Sequence, residues 1–350
     1  MERDCGKMKE LFKAIESCEG MKNVRALTVL EGEYLGEKAL VSDGKLIWKS
    51  EEEGFFSHLQ AEISGIENSG VCEIKGCRVF CDTLGGEIRL VVCGGGHVSV
   101  PVIQIGNMLE MEVTVLEDRP KYADNARRAG ASLVICEPFE QGLRKVEGSP
   151  DTYFVIVTRG HRYDQVCLKM IAGKEHAYIG MIGSRRRVSM VKRQLIESGG
   201  DRETLEQVYT PIGLEIGAET PAEIGVAIMA EIIEVKNRKK RTHGFSREIV
   251  RKIADTENVP ESGVMATIVD RKGSAPQGIG VKMLALSDGT CIGTIGGGCM
   301  EADVLQKALL MIREGTGKAR LCRVDLSGEA AEDEGMVCGG IVDVLLEPVS

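Results

Sequence analysis

The sequence lacks a long apolar run and is poor in aromatic residues and in positive charge. No stretch reaches the roughly 18 apolar residues that a membrane helix needs, and residues 1–20 are charged and amphipathic, without a signal-peptide core. Lys and Arg number 44 against 53 Asp and Glu, a net charge of -9. This balance argues against nucleic acid or an anionic membrane as the main partner. We expect a cytoplasmic protein that does not bind membranes.

Glycine is abundant where aromatic residues are not. The chain has 43 glycines, 43% hydrophobic residues and only 4% aromatic residues, a composition typical of α/β proteins that bind ligands through backbone loops. Its 350 residues predict two or three domains. The twelve cysteines have no regular spacing. In the cytoplasm we expect them to be reduced thiols.

The middle of the chain alternates short β-branched runs with helical patterns. Strands are predicted at 89–93, 113–117, 132–135, 153–158 and 177–182, and helices at 98–109, 122–129, 163–172 and 187–198. Alternation of this kind predicts parallel strands joined by crossover helices, a Rossmann-like doubly wound sheet. The last helix of this domain is predicted to begin at Thr220-Pro221, with Glu223 completing a capping box. We take the basic run at 236–241 as the domain boundary.

The flanking segments contain an internal repeat. Residues 26–31 (ALTVLE) match 265–270 (MATIVD), residues 36–44 match 280–289 with one gap, and residues 79–84 match 344–349 in the same order. Each copy is predicted to form strand, loop, strand and an Asp-Gly turn. The predicted domains are therefore a degenerate first copy at 1–88, the Rossmann-like domain at 89–237, a linker and helix at 238–261, and an intact second copy at 262–350.

The second copy carries glycine-rich loops that the first copy lacks. They are Gly273-Ser274-Ala275-Pro276-Gln277-Gly278, Gly296-Gly297-Gly298-Cys299-Met300-Glu301 and Cys338-Gly339-Gly340. Residues needed only for folding should survive in both copies, so loops present in one copy are candidates for a ligand site. Glycine runs let a backbone approach a ligand closely, and soft cysteine sulfur suits molybdenum or a persulfide. Incidental turn glycines and cysteines are the alternative.

In the Rossmann-like domain, Gly94 and Gly96 follow a predicted strand and open a helix, as a dinucleotide fingerprint requires. Glu117 and Asp118 end the next strand, where an acid holds ribose hydroxyls. The alternative is an inherited turn without a dinucleotide. His97, His161 and Asp164 are expected at the same carboxyl edge of the sheet, as candidates to face a ligand or to form an acid-base or metal set. Their spacing matches no standard zinc motif, and local capping is the alternative.

A second glycine turn precedes another predicted helix. Gly183 and Ser184 are followed there by Arg185, Arg186 and Arg187. Cations are disfavoured at a helix N-terminus, whereas backbone amides and guanidinium groups together hold phosphate. We predict an anion site, with a solvated basic turn as the alternative.

Taken together, these segments resemble the XdhC/CoxI family. The runs CGGGHVSVPVIQIGNMLEMEVTVLEDRP, YFVIVTRGH, YIGMIGSRRR and PIGLEIGAETPAEIGVAIMAEII resemble the Rossmann-like half of the family, and GSAPQGIGVKMLALSDG, GTIGGGCMEADV and VCGGIVDVLLEPV resemble the other half. Two features depart from the family pattern. The GSAP domain, which commonly comes first, follows here, and Gln277 stands where arginine often follows the proline.

The resemblance implies an accessory protein that binds the molybdenum cofactor (molybdopterin), supports its sulfuration with a cysteine desulfurase and delivers it to a molybdenum hydroxylase apoenzyme. It implies a homodimer, and a cofactor chaperone more than a catalyst, with no catalytic residue. By this resemblance Cys299 and Cys338 contact the metal. The other residues of the second-copy site are Gly273, Ser274, Gln277, Gly297, Gly298, Glu301, Gly339 and Gly340. Arg185 and Arg186 would neutralise phosphate.

Two other functions remain open from the sequence. The glycine fingerprint and Asp118 favour an NAD(P)-dependent oxidoreductase, or binding of another nucleotide, although no catalytic lysine or metal set accompanies them. A non-catalytic scaffold for hydroxylase assembly is the third hypothesis.

Overall fold

The computed structural model describes residues 5–18, 21, 23–66, 69–84, 88–238, 244–254, 262–273, 275, 277–315, 317–325 and 340–349. It divides into two compact units. The paired unit combines Met1–Gly85 with Lys240–Ser350, and the central unit is Gly86–Lys239. Both copies of the repeat therefore belong to one unit. The boundaries predicted at 88, 237 and 261 stay predictions.

The first copy is an antiparallel sheet preceded by a helix. It consists of α1 (Cys5–Ser17), β1 (Arg25–Val29), β2 (Lys38–Ser42), β3 (Lys45–Lys49), the short helix α2 (Gln60–Ile63), β4 (Gly70–Ile74) and β5 (Cys77–Thr83). The strands lie in the order β3-β2-β1-β5-β4. Asp43 and Gly44 both have positive φ and form the predicted two-residue hairpin turn.

The central unit contains a parallel sheet with helices on both faces. Its elements are β6 (Arg89–Cys93), α3 (Ser99–Met108), β7 (Glu112–Leu116), α4 (Pro120–Arg128), β8 (Leu133–Ile135), α5 (Phe139–Arg144), β9 (Thr152–Ile156), α6 (His161–Ile171), β10 (Tyr178–Met181), α7 (Arg185–Glu197), α8 (Arg202–Glu206) and α9 (Pro221–Arg238). The strand order is β10-β9-β6-β7-β8. This is the predicted doubly wound α/β fold, so the fold class is confirmed.

Each face of the central sheet supports its own core. Leu90 and Val92 of β6 pack into the cluster that includes α3 and α9, whereas Val91 and Cys93 pack into the cluster that includes α6 and α7. Successive strand residues alternate between faces, so burial on both sides explains the continuous apolar run. No helix among the described residues is long and apolar enough to cross a membrane.

Helix α9 begins with the predicted capping box. The Thr220 hydroxyl accepts a hydrogen bond from the Glu223 amide at 3.3 Å, and the Glu223 carboxylate accepts one from the Thr220 amide at 2.9 Å. Two backbone donors that lack partners inside the helix are satisfied in this way.

The second copy repeats the topology of the first. It consists of α10 (Arg247–Ala254), β11 (Gly263–Lys272), β12 (Lys282–Leu286), β13 (Cys291–Gly293), α11 (Gly298–Glu314), β14 (Arg320–Asp325) and β15 (Ile341–Pro348). The strand order β13-β12-β11-β15-β14 corresponds strand for strand to that of the first copy. The main difference is α11, which is far longer than α2 at the equivalent place in the chain.

Candidate functional site

The strand order of the central sheet reverses between the carboxyl ends of β6 and β9, which is the point where doubly wound sheets form their ligand crevice. Gly94 has φ +117, and a Cβ there would lie 2.6 Å from the Val157 carbonyl oxygen. Gly95 is equally close to the Tyr122 carbonyl, whereas a Cβ at Gly96 would meet no atom within 4 Å. The glycine loop is therefore packed against its neighbours at its start and open at Gly96.

Two acids that directly follow β7 bind the glycine loop and two nearby arginines. Glu117 is fully buried, and its carboxylate accepts hydrogen bonds from the Gly95 amide at 2.7 Å and from Arg119 Nε at 2.8 Å. Asp118 pairs with Arg159, which lowers the pKa of Asp118 below its ordinary value. The acid predicted to hold ribose hydroxyls is thus already engaged by a guanidinium group.

Asp164 lies at the same edge, in the first turn of α6. Its side chain is buried and accepts hydrogen bonds from the Thr158 hydroxyl and from the Arg187 guanidinium. His97 is exposed just before α3. His161 begins α6, and its side chain lies outside the described residues. The structure therefore brings Asp164 together with the arginine-bearing helix α7.

The predicted anion site at the start of α7 is only partly available. Gly183 has φ +148, and Ser184 caps the helix by accepting a hydrogen bond from the Arg187 amide. Arg185 forms an ion pair with Glu215, while Arg186 is exposed. With Arg187 held by a buried acid, Arg186 is the arginine of this run best placed to meet a ligand from solvent.

In the second copy, strand pairing brings the glycine loops to one edge of the sheet. Lys272, at the end of β11, pairs with Ile341, at the start of β15. Met283, near the start of β12, pairs with Gly293, at the end of β13. Gly273, the loop that leads into α11, and Gly340 therefore all lie at the same end of the sheet.

The loop that opens α11 is built around Glu301. Gly296, Gly297 and Gly298 all have positive φ, and a Cβ at Gly297 would meet no atom within 4 Å. The Glu301 carboxylate accepts hydrogen bonds from the Ile295 and Gly297 amides, both at 3.2 Å, and from the Thr294 hydroxyl. Burial opposes ionisation of Glu301, but these hydrogen bonds outweigh it and lower its pKa below 4.5. Glu301 thus shapes the loop from within.

Three further predicted residues of this edge lie in the described part of the chain. Cys299 is half-buried in the first turn of α11, Gly273 is exposed with φ +80, and the Gln277 carbonyl accepts a hydrogen bond from Arg271. Ser274, Cys338 and Gly339 lie outside the described residues. Within the described part of the chain, no group of three or more His, Cys, Asp or Glu side chains could hold a metal ion.

Sequence reasoning misses the residues that organise the central crevice. The spacing marks Glu117 and Asp118 together but does not tell which of them is buried, and it does not mark Arg119 and Arg159, the arginines that neutralise these acids. One feature of the sequence does indicate Arg119. Arg119 follows directly after the two acids at the end of a strand, where charged side chains lie at the ligand edge.

Comparisons with known proteins identify both types of domain in this chain. Residues 90–232 match the model of the XdhC Rossmann domain, and residues 259–325 match that of the XdhC and CoxI family. The protein YqeB of Escherichia coli is 32% identical over 160 residues, which cover 45% of this chain and 29% of YqeB. A Bacillus subtilis protein described as a probable subunit of xanthine dehydrogenase is 31% identical over 160 residues, 46% of each chain. The aligned regions thus span less than half of either relative.

A solved structure supports the fold. A crystal structure from Bacillus halodurans, described as a xanthine dehydrogenase, aligns with TM-score 0.53 and 24% identity over 66% of this chain and 68% of that one. The two family-model matches place the XdhC Rossmann domain ahead of the XdhC and CoxI domain in this chain. The chain belongs to the XdhC and CoxI family.

Proposed function

We propose that this chain is an accessory protein that binds the molybdenum cofactor and assists its sulfuration and insertion into a xanthine dehydrogenase-like molybdenum hydroxylase. Two relatives support the association with such an enzyme: one is described as a probable subunit of xanthine dehydrogenase, and the other, similar in fold, as a xanthine dehydrogenase. In this role the chain carries a cofactor rather than turning over a substrate.

The observation that carries the proposal is the difference between the two copies. They share strand order, yet the second copy alone carries the three glycine-rich runs, whose described glycines Gly273, Gly296–Gly298 and Gly340 lie at one sheet edge, and a long helix begins there. Folding alone does not require these loops, because the first copy forms the same sheet without them. A ligand that the second copy binds would account for the difference.

The donors at this edge fit the molybdenum cofactor. When bound, the cofactor supplies the metal, its exchangeable terminal ligand and an anionic phosphate. The Glu301 carboxylate already engages the Ile295 and Gly297 amides, so a bound anion would meet the amides of the first turn of α11, where the helix dipole favours negative charge. The open space at Gly297 admits close approach. Cys299, in the first turn of α11, offers a soft sulfur. Glu301 keeps the loop amides in place, and Cys338 would add a second sulfur.

The central unit would contribute a site for phosphate or a nucleotide. Gly96 leaves open space at the switch-point crevice, and Arg119 and Arg159 lie close by, held by Glu117 and Asp118. The pairing of Asp118 with Arg159 disfavours an oxidoreductase that holds the ribose hydroxyls of NAD with this carboxylate. A cysteine desulfurase would supply sulfur to the second copy, and the hydroxylase apoenzyme would receive the cofactor.

Hydroxylase maturation tests the proposal. The hydroxylase is produced in a host that has no XdhC/CoxI protein of its own. It is produced together with this chain, or with the Cys299→Ala or Cys338→Ala variant. Cys72→Ala, a half-buried cysteine of the first copy, is the matched control. We expect each second-copy variant to lower hydroxylase activity at least about tenfold, as loss of metal-site support commonly does, at unchanged hydroxylase protein.

The defect should be repaired by chemical treatment of the purified hydroxylase with sulfide and a reductant, if sulfuration is the step lost. A scaffold would behave differently, because all variants would then support full activity while still binding the hydroxylase. Full activity with both second-copy variants contradicts the proposal.

A further inference from the structure

Two buried ion pairs join the copies reciprocally. Lys38 of the first copy contacts Glu347 of the second at 2.8 Å, and Lys282 of the second copy contacts Asp82 of the first. All four charged side chains are about nine-tenths buried or more, with exposures of 11%, 8%, 5% and 4%. A buried charge is tolerated only when paired, so both pairs constrain how the copies meet.

The paired residues are equivalent by strand register. Lys38 lies opposite Thr28, as Lys282 lies opposite Thr267. In the same way, Asp82 lies opposite Ala26, and Glu347 lies opposite Met265 in the second copy. Each lysine therefore contacts the carboxylate at the other copy's equivalent position. That reciprocity defines a two-fold, isologous interface.

The apolar contacts follow the same symmetry. Leu30 and Phe80 of the first copy pack in one cluster with their equivalents Val269 and Leu345. Alternate residues of the central strands point the other way, so that Leu27 packs in the first copy's own core and its equivalent Ala266 packs with α11. One face of each sheet thus supports its own copy, and the other meets its counterpart.

We infer that this buried face is a self-association face of the XdhC/CoxI domain, and that the first copy fills it within the chain. The first copy has lost the glycine loops but keeps a lysine, a carboxylate and a threonine at the equivalent interface positions. Its role is then to cover the face of the second copy. The second-copy face carries both Lys282 and Glu347, so it is complementary to itself. When the first copy is displaced, this face pairs with the same face of another molecule of this chain.

Charge reversal in the full chain tests this inference without any ligand. Lys38→Glu with Asp82→Lys opposes like charges at both pairs, so the first copy no longer matches the second. Adding Lys282→Glu and Glu347→Lys restores opposite charges with the signs exchanged. Reversal of the half-exposed pair Asp303 and Lys307 on α11 is the control. Molar mass is measured by light scattering and melting temperature by circular dichroism.

We expect the first-copy double variant to associate through its freed second-copy faces, with about twice the wild-type molar mass. The fourfold variant should return to the wild-type mass and recover most of the lost melting temperature, and the control should match wild type throughout. A double variant that keeps the wild-type mass, or that forms only aggregates of undefined size, overturns the inference. So does a fourfold variant that recovers neither property.

Discussion

Replacing Glu301 removes the carboxylate that holds the glycine loop of the second copy. Glu301→Ala deletes the acceptor of two backbone amides and one hydroxyl. Hydrogen bonds to a charged acceptor contribute about 1.5–3 kcal/mol each when buried, and less in a partly solvated site such as this. We expect the loop to open about 2 kcal/mol more easily, which corresponds to roughly 30-fold faster exchange.

Amide hydrogen exchange at Ile295 and Gly297 measures this opening directly, without assuming that the whole chain unfolds in one step. Glu301→Gln should show a smaller increase, because its amide oxygen still accepts but carries no charge. Glu314→Gln, near the other end of α11, is the control and should leave both amides unchanged. Exchange within about twofold of wild type in Glu301→Ala would refute the assigned role.

The same carboxylate predicts a pH dependence. The folded pKa of Glu301 lies below its ordinary 4.5, so ionisation favours the ordered loop. This stabilisation is complete above about pH 4.5 and is lost as the pH falls through the folded pKa. Protection of Gly297, corrected for the intrinsic pH dependence of exchange, should decline only below about pH 4.5, and Glu301→Gln should abolish the decline. A decline that begins near neutral pH would contradict this assignment.

Further predictions concern the central unit. Asp164→Ala should destabilise it by about 3 kcal/mol, because Arg187 loses its buried partner; the urea midpoint for protection of β6 amides measures this, and an unchanged midpoint would contradict it. Thr220→Ala should cost about 1 kcal/mol at the start of α9, seen as faster exchange of the Glu223 amide. Asp118→Asn should reduce acid destabilisation below about pH 3.8, since the folded pKa of Asp118 is depressed; an identical acid melting profile would argue against it.

The fold can be predicted because its determinants are local. Strand β6 is predicted with its observed bounds, and the capping box at Thr220 and Glu223 fixes the start of α9. The repeat is recognisable because equivalent strands keep similar residues. Short elements are not predicted, because α5 and α8 have too few turns for a periodic pattern to stand out.

The contacts between segments cannot be predicted from the same patterns. Nothing local distinguishes Lys38 and Lys282, which are buried in ion pairs, from the many lysines that are exposed. The pairing of Asp118 with Arg159 joins two strand ends that are distant in sequence. Such partners depend on register and on sheet order, so a spacing rule that places Asp118 at the ligand edge cannot tell that an arginine engages it.

The central claim concerns the ligand of the second copy, and the content of the purified chain tests it most directly. The chain is isolated from a host that makes the molybdenum cofactor, and metal and pterin are quantified together. We predict that molybdenum and pterin co-purify in equal amounts, and that both are lost in the Cys299→Ala variant but retained in Cys72→Ala. A wild-type chain that carries neither molybdenum nor pterin from such a host would contradict the account.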